Sequence, residues 1–198
     1  MVTGFILAGG TSSRMGRDKA FLPIGSRALI ELVAQRLRPV VERMVIIGNA
    51  HNVQRLRETL SADTVVTDAQ PGYGPLMGIY TGLMHTETPL NLFVPCDMPW
   101  IAWRLVERLL RCCRGEVEAV ASLQPPEKVQ PFPLLCHVKA CRTIGALLDR
   151  GERSLQSLLH QQHTRLITIE EPDLQRSFMN VNTLADYAKL TDELSLAS

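Results

Sequence analysis

The sequence predicts a single α/β domain of three layers, α/β/α, built on a mostly parallel sheet. Short apolar runs alternate with amphipathic segments along the chain, which is the order that forms strand–helix–strand units. The length of 198 residues suits one domain, residues 1–198. Hydrophobic residues make up 45% of the chain and charged residues 21%, so a sizeable core is available and a disordered or fibrous protein is excluded.

The predicted elements of the first half follow one another without interruption. Val2–Leu7 is a short apolar run that ends in glycines, as a buried strand does. Ala28–Leu37 carries apolar residues at helical spacing and Pro39 follows it closely, so it is predicted as a helix. The same patterns then predict a strand at Met44–Ile47, a helix at His51–Leu60, a strand at Thr64–Thr67 and a helix from Pro75.

The second half continues with strands and helices in a less regular order. These elements are a strand at Leu92–Pro95, a helix at Ile101–Cys112, strands at Val117–Ser122 and Phe132–His137, and helices at Lys139–Asp149, Ser154–His160 and Leu184–Leu190. Pro133 lies inside a predicted strand, and a proline has no N–H to donate to a neighbouring strand. That strand therefore needs an edge position or a bulge at Pro133.

Charge and cysteine content exclude several classes of protein. Lys and Arg number 21 against 20 Asp and Glu, a net charge of +1, so neither a nucleic acid nor a membrane is an expected partner. Five cysteines without a CxxC pair fit neither a disulfide framework nor a zinc finger. No signal peptide or membrane span is predicted, and the expected compartment is the cytoplasm.

The loop after the first predicted strand, Leu7 to Lys19, has the composition of a phosphate site. Its glycines let backbone N–H groups approach phosphate oxygens. Arg14 can bind two phosphate oxygens at once, and Lys19 supplies a compact charge. The spacing matches neither a Walker A loop nor the GxGxxG dinucleotide fingerprint. The alternative interpretation is a polar surface loop.

Three polar side chains follow other predicted strands. Asp97 suits a Mg²⁺ whose remaining ligands are water and phosphate, or it caps the helix that follows. Asp68 and Asn49 have the alternatives of an Asx-turn and a helix N-cap. Ligands of such sheets bind outside the carboxyl ends of the strands, so these residues and the glycine loop together predict one site.

The stretch LAGGTSSRMGRDKAFL resembles the signature of the molybdenum cofactor guanylyltransferases, within the nucleotidyltransferase fold superfamily. Four later segments are similar in order and spacing: GPLMGI (74–79), PCDMP (95–99), GERSL (151–155) and FMNVNT (178–183). The resemblance covers about residues 3–187. It implies a Rossmann-like, mostly parallel sheet of the nucleotidyltransferase type. It also implies Mg²⁺-dependent transfer of GMP from GTP to molybdopterin-bound molybdenum cofactor, giving molybdopterin guanine dinucleotide and pyrophosphate.

The resemblance also implies roles for residues at matching positions. Lys19 would hold phosphate and stabilise the departing pyrophosphate, Asp97 would bind Mg²⁺, and Arg14 is a further phosphate contact on charge grounds. The nucleoside would be contacted by the backbone of Leu7, Ala8 and Gly9 and by Asn49 and Asp68.

The second substrate is assigned to the later segments. Asn180 and Asn182 would bind it, with the alternative that Asn182 caps the last helix. Arg153 would contact its phosphate, with the alternative of an exposed charge.

Two other functions remain open at this point. A cytidylyltransferase acting on the same cofactor would share Lys19 and Asp97 and differ in the base-contacting loops. A non-catalytic nucleotide-binding partner subunit needs no lysine and metal carboxylate together, so this pair disfavours it. The expected partners are GTP, the molybdopterin-bound cofactor and proteins that deliver or accept that cofactor.

Overall fold

A computed structural model describes residues 1–10, 18–60, 64–68, 70 and 73–195. The strands are β1 (Val2–Leu7), β2 (Pro23–Ile24), β3 (Arg27–Ala28), β4 (Arg43–Gly48), β5 (Thr64–Thr67), β6 (Leu90–Pro95), β7 (Ala119–Gln124), β8 (Lys128–His137) and β9 (Thr164–Thr168). The helices are α1 (Leu29–Leu37), α2 (Val53–Thr59), α3 (Pro75–Met84), α4 (Trp103–Cys112), α5 (Ala140–Asp149), α6 (Leu155–Leu159), α7 (Pro172–Gln175) and α8 (Leu184–Ser195).

The central sheet has seven strands in the order β5-β4-β1-β6-β8-β7-β9. β1 lies between β4 and β6 and is parallel to both, and β5 extends the parallel half beyond β4. β8 is antiparallel to β6 and β7, and β9 is parallel to β7. The prediction of a mostly parallel α/β sheet is confirmed. β2 and β3 form a separate two-stranded antiparallel sheet.

Pro133 lies in an interior strand, so the edge position offered for it is wrong and the bulge is correct. The pairing of β7 with β8 shifts from Val120 opposite Leu135 to Ser122 opposite Gln130. The pairing of β6 with β8 ends at Leu134. Pro133 therefore occupies a stretch where neither neighbouring strand requires its missing N–H.

The core lies on both faces of the sheet because side chains alternate along each strand. Ile6 of β1 packs with α1, α2 and α4, whereas Phe5 packs with α3, α5 and α6. The Phe5 ring stacks on that of Phe93, with centroids 4.8 Å apart. Gly82 brings α3 close to this pair, since a Cβ at that position would lie 2.5 Å from Phe93. The three layers predicted from the sequence are present.

Two further expectations concern the whole chain. All five cysteines lie in the described segments and are free thiols. No helix in the part of the chain that the structure describes is long and apolar enough to cross a membrane.

Candidate active site

A cavity of about 420 Å³ opens at the carboxyl ends of the parallel strands. Its walls come from the segments that follow β1, β5 and β6 and from the start of α3. The described residues that line it include Leu7, Ala8, Gly9, Gly10, Asp18, Lys19, Asp68, Gly74, Pro75, Gly78, Cys96, Asp97 and Phe132. Parallel strands that end at one edge bring these distant segments together, which is the usual position of a ligand site in such a sheet.

Lys19 and Asp97 form an ion pair at this cavity. The Lys19 Nζ lies 3.1 Å from Asp97 Oδ2 and donates a second hydrogen bond of 2.6 Å to Asn182 Oδ1. The side chains of Lys19 and Asp97 are only 17% and 16% exposed, so water screens the pair weakly. The backbone N–H of Val181 donates to the Asp97 carbonyl at 2.8 Å, which fixes the C-terminal segment beside the pair.

The structure separates the two roles offered for Asn182. Thr183, not Asn182, caps α8: its hydroxyl accepts from the Asp186 N–H at 3.1 Å, and the Asp186 carboxylate accepts from the Thr183 N–H at 2.8 Å. Such reciprocal bonding is a capping box. Hydrogen bonds from Thr183, and then from the Asn182 backbone, hold the pKa of Asp186 below its usual value. The helix-cap alternative for Asn182 is wrong, and its side-chain oxygen faces Lys19 instead. Asn180 is exposed and is not among the described residues that line the cavity.

Asn49 lies behind the cavity wall. Its Nδ2 donates to the Gly9 carbonyl at 3.1 Å, and its Oδ1 accepts from the N–H groups of His51 and Asn52 at 2.9 and 3.1 Å. These bonds cap the turn that leads into α2, whereas the N-cap position of α2 itself is Asn52. Asn49 therefore supports the backbone at Gly9, in the segment of residues 8–10 that lines the cavity.

Asp68 lines the cavity at the end of β5. Its Oδ1 accepts from the Thr81 hydroxyl at 3.1 Å and, at a long 3.4 Å, from the Gln70 N–H. The second bond has the pattern of an Asx-turn, which was the alternative for this residue. Asp68 therefore links β5 to α3 while its carboxylate faces the cavity.

Cys96, which lies between the end of β6 and Asp97, lines the cavity with an uncharged side chain. Burial, and then the negative charges of Asp97 and Asp18, raise the pKa of the Cys96 thiol far above its ordinary value. A thiol that keeps its proton is a weak nucleophile. Cys96 therefore serves packing, and the charged side chains among the described residues that line the cavity are those of Asp18, Lys19, Asp68 and Asp97.

Arg153 lies beside the cavity wall. Its guanidinium stacks on the Tyr73 ring at 4.1 Å, and its carbonyl oxygen would lie 2.9 Å from a Cβ at Gly74. Gly74 has φ +78°, so only glycine fits this turn comfortably. Arg14, predicted as a phosphate contact, falls outside the described residues.

Sequence reasoning missed Asn52 and Asp18. Asn52 is buried, and its Nδ2 donates to the Ala8 carbonyl and to Asp18 Oδ2, each at 2.8 Å. Asp18 Oδ1 accepts from the Ala20 N–H at 3.1 Å and so caps the short 3₁₀ turn that begins at Lys19. The acidic residue directly before Lys19 was a usable signal for a cap, whereas nothing in the sequence marks Asn52.

Comparisons with known proteins identify relatives of this chain. The family model of the MobA-like NTP transferase domain matches residues 4–166. The molybdenum cofactor guanylyltransferase of Serratia proteamaculans is 36% identical over 199 residues, covering 100% of this chain and 98% of its own. The probable molybdenum cofactor guanylyltransferase of Bacillus cytotoxicus is 31% identical over 192 residues, 96% of each chain. A crystal structure of molybdopterin-guanine dinucleotide biosynthesis protein A from Archaeoglobus fulgidus superposes with a TM-score of 0.78 at 19% identity, covering 98% of both chains.

The fold, the family model and these relatives thus define a nucleotidyltransferase, an enzyme of the NTP transferase class. Sequence identity above 30% to the two guanylyltransferases, over nearly the whole chain, identifies the family within this class. The chain belongs to the molybdenum cofactor guanylyltransferase family.

Proposed function

We propose that this protein transfers GMP from GTP to the terminal phosphate of molybdopterin-bound molybdenum cofactor and releases pyrophosphate. One observation carries the proposal: Lys19 and Asp97 meet at a cavity beside the glycine segment Ala8–Gly10. The relatives that match the whole chain are named guanylyltransferases, which supports GTP as the nucleotide.

The reaction asks the protein mainly for positioning and charge. An oxygen of the pterin phosphate attacks the α-phosphorus of GTP, and the bond to the β-phosphate oxygen breaks as pyrophosphate leaves with the electron pair. A phosphate monoester has a second pKa of about 6, so it is already largely ionised near neutral pH and needs no general base. The difficulty is bringing two polyanions together, which cations must overcome. In this reaction Lys19 would balance charge on the departing pyrophosphate.

The donor set at the cavity fits Mg²⁺. Asp97 Oδ2 pairs with Lys19, which leaves the other carboxylate oxygen, Oδ1, for a metal. The described residues hold no group of three or more His, Cys, Asp or Glu that would enclose a metal. Mg²⁺ is usually held by one or two carboxylates together with substrate phosphates and water. Asp97 would hold the ion, and the ion would neutralise phosphate charge.

The partners and the compartment follow from the same proposal. The substrates are GTP and the molybdopterin-bound cofactor, and proteins that deliver or accept the cofactor are expected partners. Free thiols at all five cysteines suit the reducing cytoplasm, where we place the enzyme.

Release of pyrophosphate from purified protein, Mg²⁺ and molybdopterin-bound cofactor tests the proposal, with GTP, CTP and ATP supplied separately. We expect release with GTP alone and a loss of at least about 100-fold in Lys19→Ala, the scale of one lost oxyanion contact. Lys189→Ala removes an exposed lysine of α8 and is the matched control, with no loss expected. Release with CTP instead would make the enzyme a cytidylyltransferase. Binding of GTP without any turnover would favour a non-catalytic subunit.

A further inference from the structure

Asn52 is a buried polar side chain that the proposed chemistry does not use directly. It is 4% exposed and lies just before α2, behind the cavity. Its Nδ2 donates to the Ala8 carbonyl and to Asp18 Oδ2, each at 2.8 Å, and its Oδ1 accepts from the Asn49 N–H at 2.8 Å. These bonds fix the orientation of the amide, because a flipped amide would place its oxygen against two acceptors.

The two acceptors belong to segments ten residues apart in the sequence. Ala8 follows β1 and lines the cavity, whereas Asp18 directly precedes Lys19. A single buried amide therefore sets the distance between the glycine segment and the turn that carries the lysine. Asn49 adds a bond of 3.1 Å to the next carbonyl, that of Gly9.

The connection continues from Asp18 to the charged pair. Asp18 uses one carboxylate oxygen for Asn52 and the other to cap the 3₁₀ turn through the Ala20 N–H. That turn begins at Lys19, whose Nζ reaches Asp97 at 3.1 Å. A displacement of Asp18 would therefore also move Lys19, which we assign to the phosphates.

We infer that Asn52 is a positioning residue for nucleotide binding: its amide holds Ala8 and Asp18 so that the glycine segment and Lys19 face the same phosphates. This inference rests on the proposed function. It states that the hydrogen bond from Asn52 to Asp18 contributes to GTP binding, beyond any effect of burying a polar group.

Asn52→Asp is the sharpest test. The substitution keeps size and shape but places a carboxylate oxygen against the Ala8 carbonyl and the Asp18 carboxylate, where Nδ2 now donates. We expect the dissociation constant for GTP with Mg²⁺, measured by calorimetry, to rise at least about tenfold, with a similar rise in KM, because a displaced Asp18 carries Lys19 with it.

Asn91→Asp is the matched control for burying a carboxylate in the same domain. Asn91 is 0% exposed and lies at the start of β6, at the edge opposite the cavity. In the described structure its side chain bonds to Thr86 and Thr88, far from the nucleotide segments. This variant is expected to lose stability but to keep its GTP dissociation constant within about twofold, when both are measured well below the unfolding temperature.

The double variant Asp18→Asn with Asn52→Asp tests the bond itself. The amide introduced at position 18 donates to the carboxylate introduced at position 52, and the amide oxygen still caps the turn, so the hydrogen bond is restored with its direction reversed. We expect the double variant to bind GTP at least about fivefold more tightly than Asn52→Asp alone. Recovery is partial because the Ala8 carbonyl still lacks its donor.

Three results would overturn the inference: Asn52→Asp leaves GTP binding within twofold, Asn91→Asp weakens it equally, or the Asp18→Asn change restores nothing. If Asn52→Asp does not fold, the uncharged Asn52→Ala carries the test, with a threefold to tenfold rise in the dissociation constant expected and no change counting against the inference. Failure of the wild-type protein to bind GTP would instead count against the proposed function. Binding requires no second substrate, so the two failures are distinguishable.

Discussion

The ion pair of Lys19 and Asp97 lies at the cavity to which we assign the phosphates of GTP. Both side chains are mostly buried, and a lone charge there would be costly. Asp97 and Asn182 therefore compensate the ammonium group from two sides, at 3.1 and 2.6 Å. In the proposed reaction, phosphate oxygens of GTP would replace the contact with Asn182, while the carboxylate of Asp97 would remain beside the lysine and offer its second oxygen to Mg²⁺.

Asp97→Asn separates binding from turnover. The amide keeps the shape of the side chain but loses the charge that would hold Mg²⁺, so pyrophosphate release is expected to fall at least about 100-fold. The GTP dissociation constant is expected to change by less than about tenfold, because Lys19 and the glycine segment remain. Pyrophosphate release measures the turnover, and calorimetry measures the GTP dissociation constant.

Asp173→Asn is the control for removing a carboxylate from an exposed pair with Arg104, where little effect is expected. The proposed role of Asp97 is wrong if Asp97→Asn keeps its turnover. It is also wrong if binding falls as far as turnover does, since Asp97 would then serve binding alone.

At the scale of elements, periodicity found the long and buried segments. Val2–Leu7, which is buried along nearly its whole length, was predicted to the residue, and Leu92–Pro95 lacks only two residues of β6. The strands that were missed lack a periodic signal: β2 and β3 have two residues each, and β9 is an edge strand with exposed Arg165 and Leu166. The reversed direction of β8 was also missed, because strand direction depends on connections that periodicity does not encode.

The capping box of α8 should contribute measurably to stability. Thr183→Ala removes the hydroxyl that accepts from the Asp186 N–H and is expected to lower the free energy of unfolding by about 1 kcal/mol. Thr183→Ser keeps the hydroxyl and is expected to remain within a few tenths of 1 kcal/mol of wild type. Urea unfolding of both variants at neutral pH measures the difference, and equal losses would show that the methyl packing, not the cap, matters.

The contribution of the same cap depends on pH. The pKa of Asp186 lies below its ordinary value of 3.8, chiefly because the Thr183 hydroxyl donates to its carboxylate. The stabilisation is therefore complete above the unfolded-state value and is lost as the pH falls through the lowered folded-state pKa. The gap in unfolding free energy between wild type and Thr183→Ala should narrow below about pH 4. A gap that widens in acid would contradict this assignment.

For the molecule as a whole, the topology of the sheet brings the site residues together. Part of the site could be predicted from the sequence, and part of it could not. Lys19, Asp68 and Asp97 were found because each follows a strand whose carboxyl end reaches one edge. Asn52 was not found, since its role depends on partners 44 and 34 residues away in the sequence. The choice between cap and site for Asn182 required the bond to Lys19 across 163 positions. A sequence motif gives the order of residue types, whereas hydrogen bonds between side chains that are distant in the sequence are seen only in the folded structure.

The assembled site should stabilise the whole fold when it is filled. A ligand that binds only the native state adds about 2.7 kcal/mol at roughly 100 times its dissociation constant. For a chain of 198 residues each kcal/mol raises the melting temperature by about 2–4 °C, so GTP with Mg²⁺ should raise it by about 5–10 °C. The same nucleotide should raise the melting temperature of Lys19→Ala far less, while Lys189→Ala should respond as wild type does.

Melting curves with GTP, CTP and ATP at equal concentration compare the three bases by the rise in melting temperature. A larger rise with CTP would overturn the assignment of guanine. No shift with any nucleotide would show that the cavity between Lys19, Asp68 and Asp97 does not bind one, because a site that joins four segments cannot be occupied without stabilising their packing.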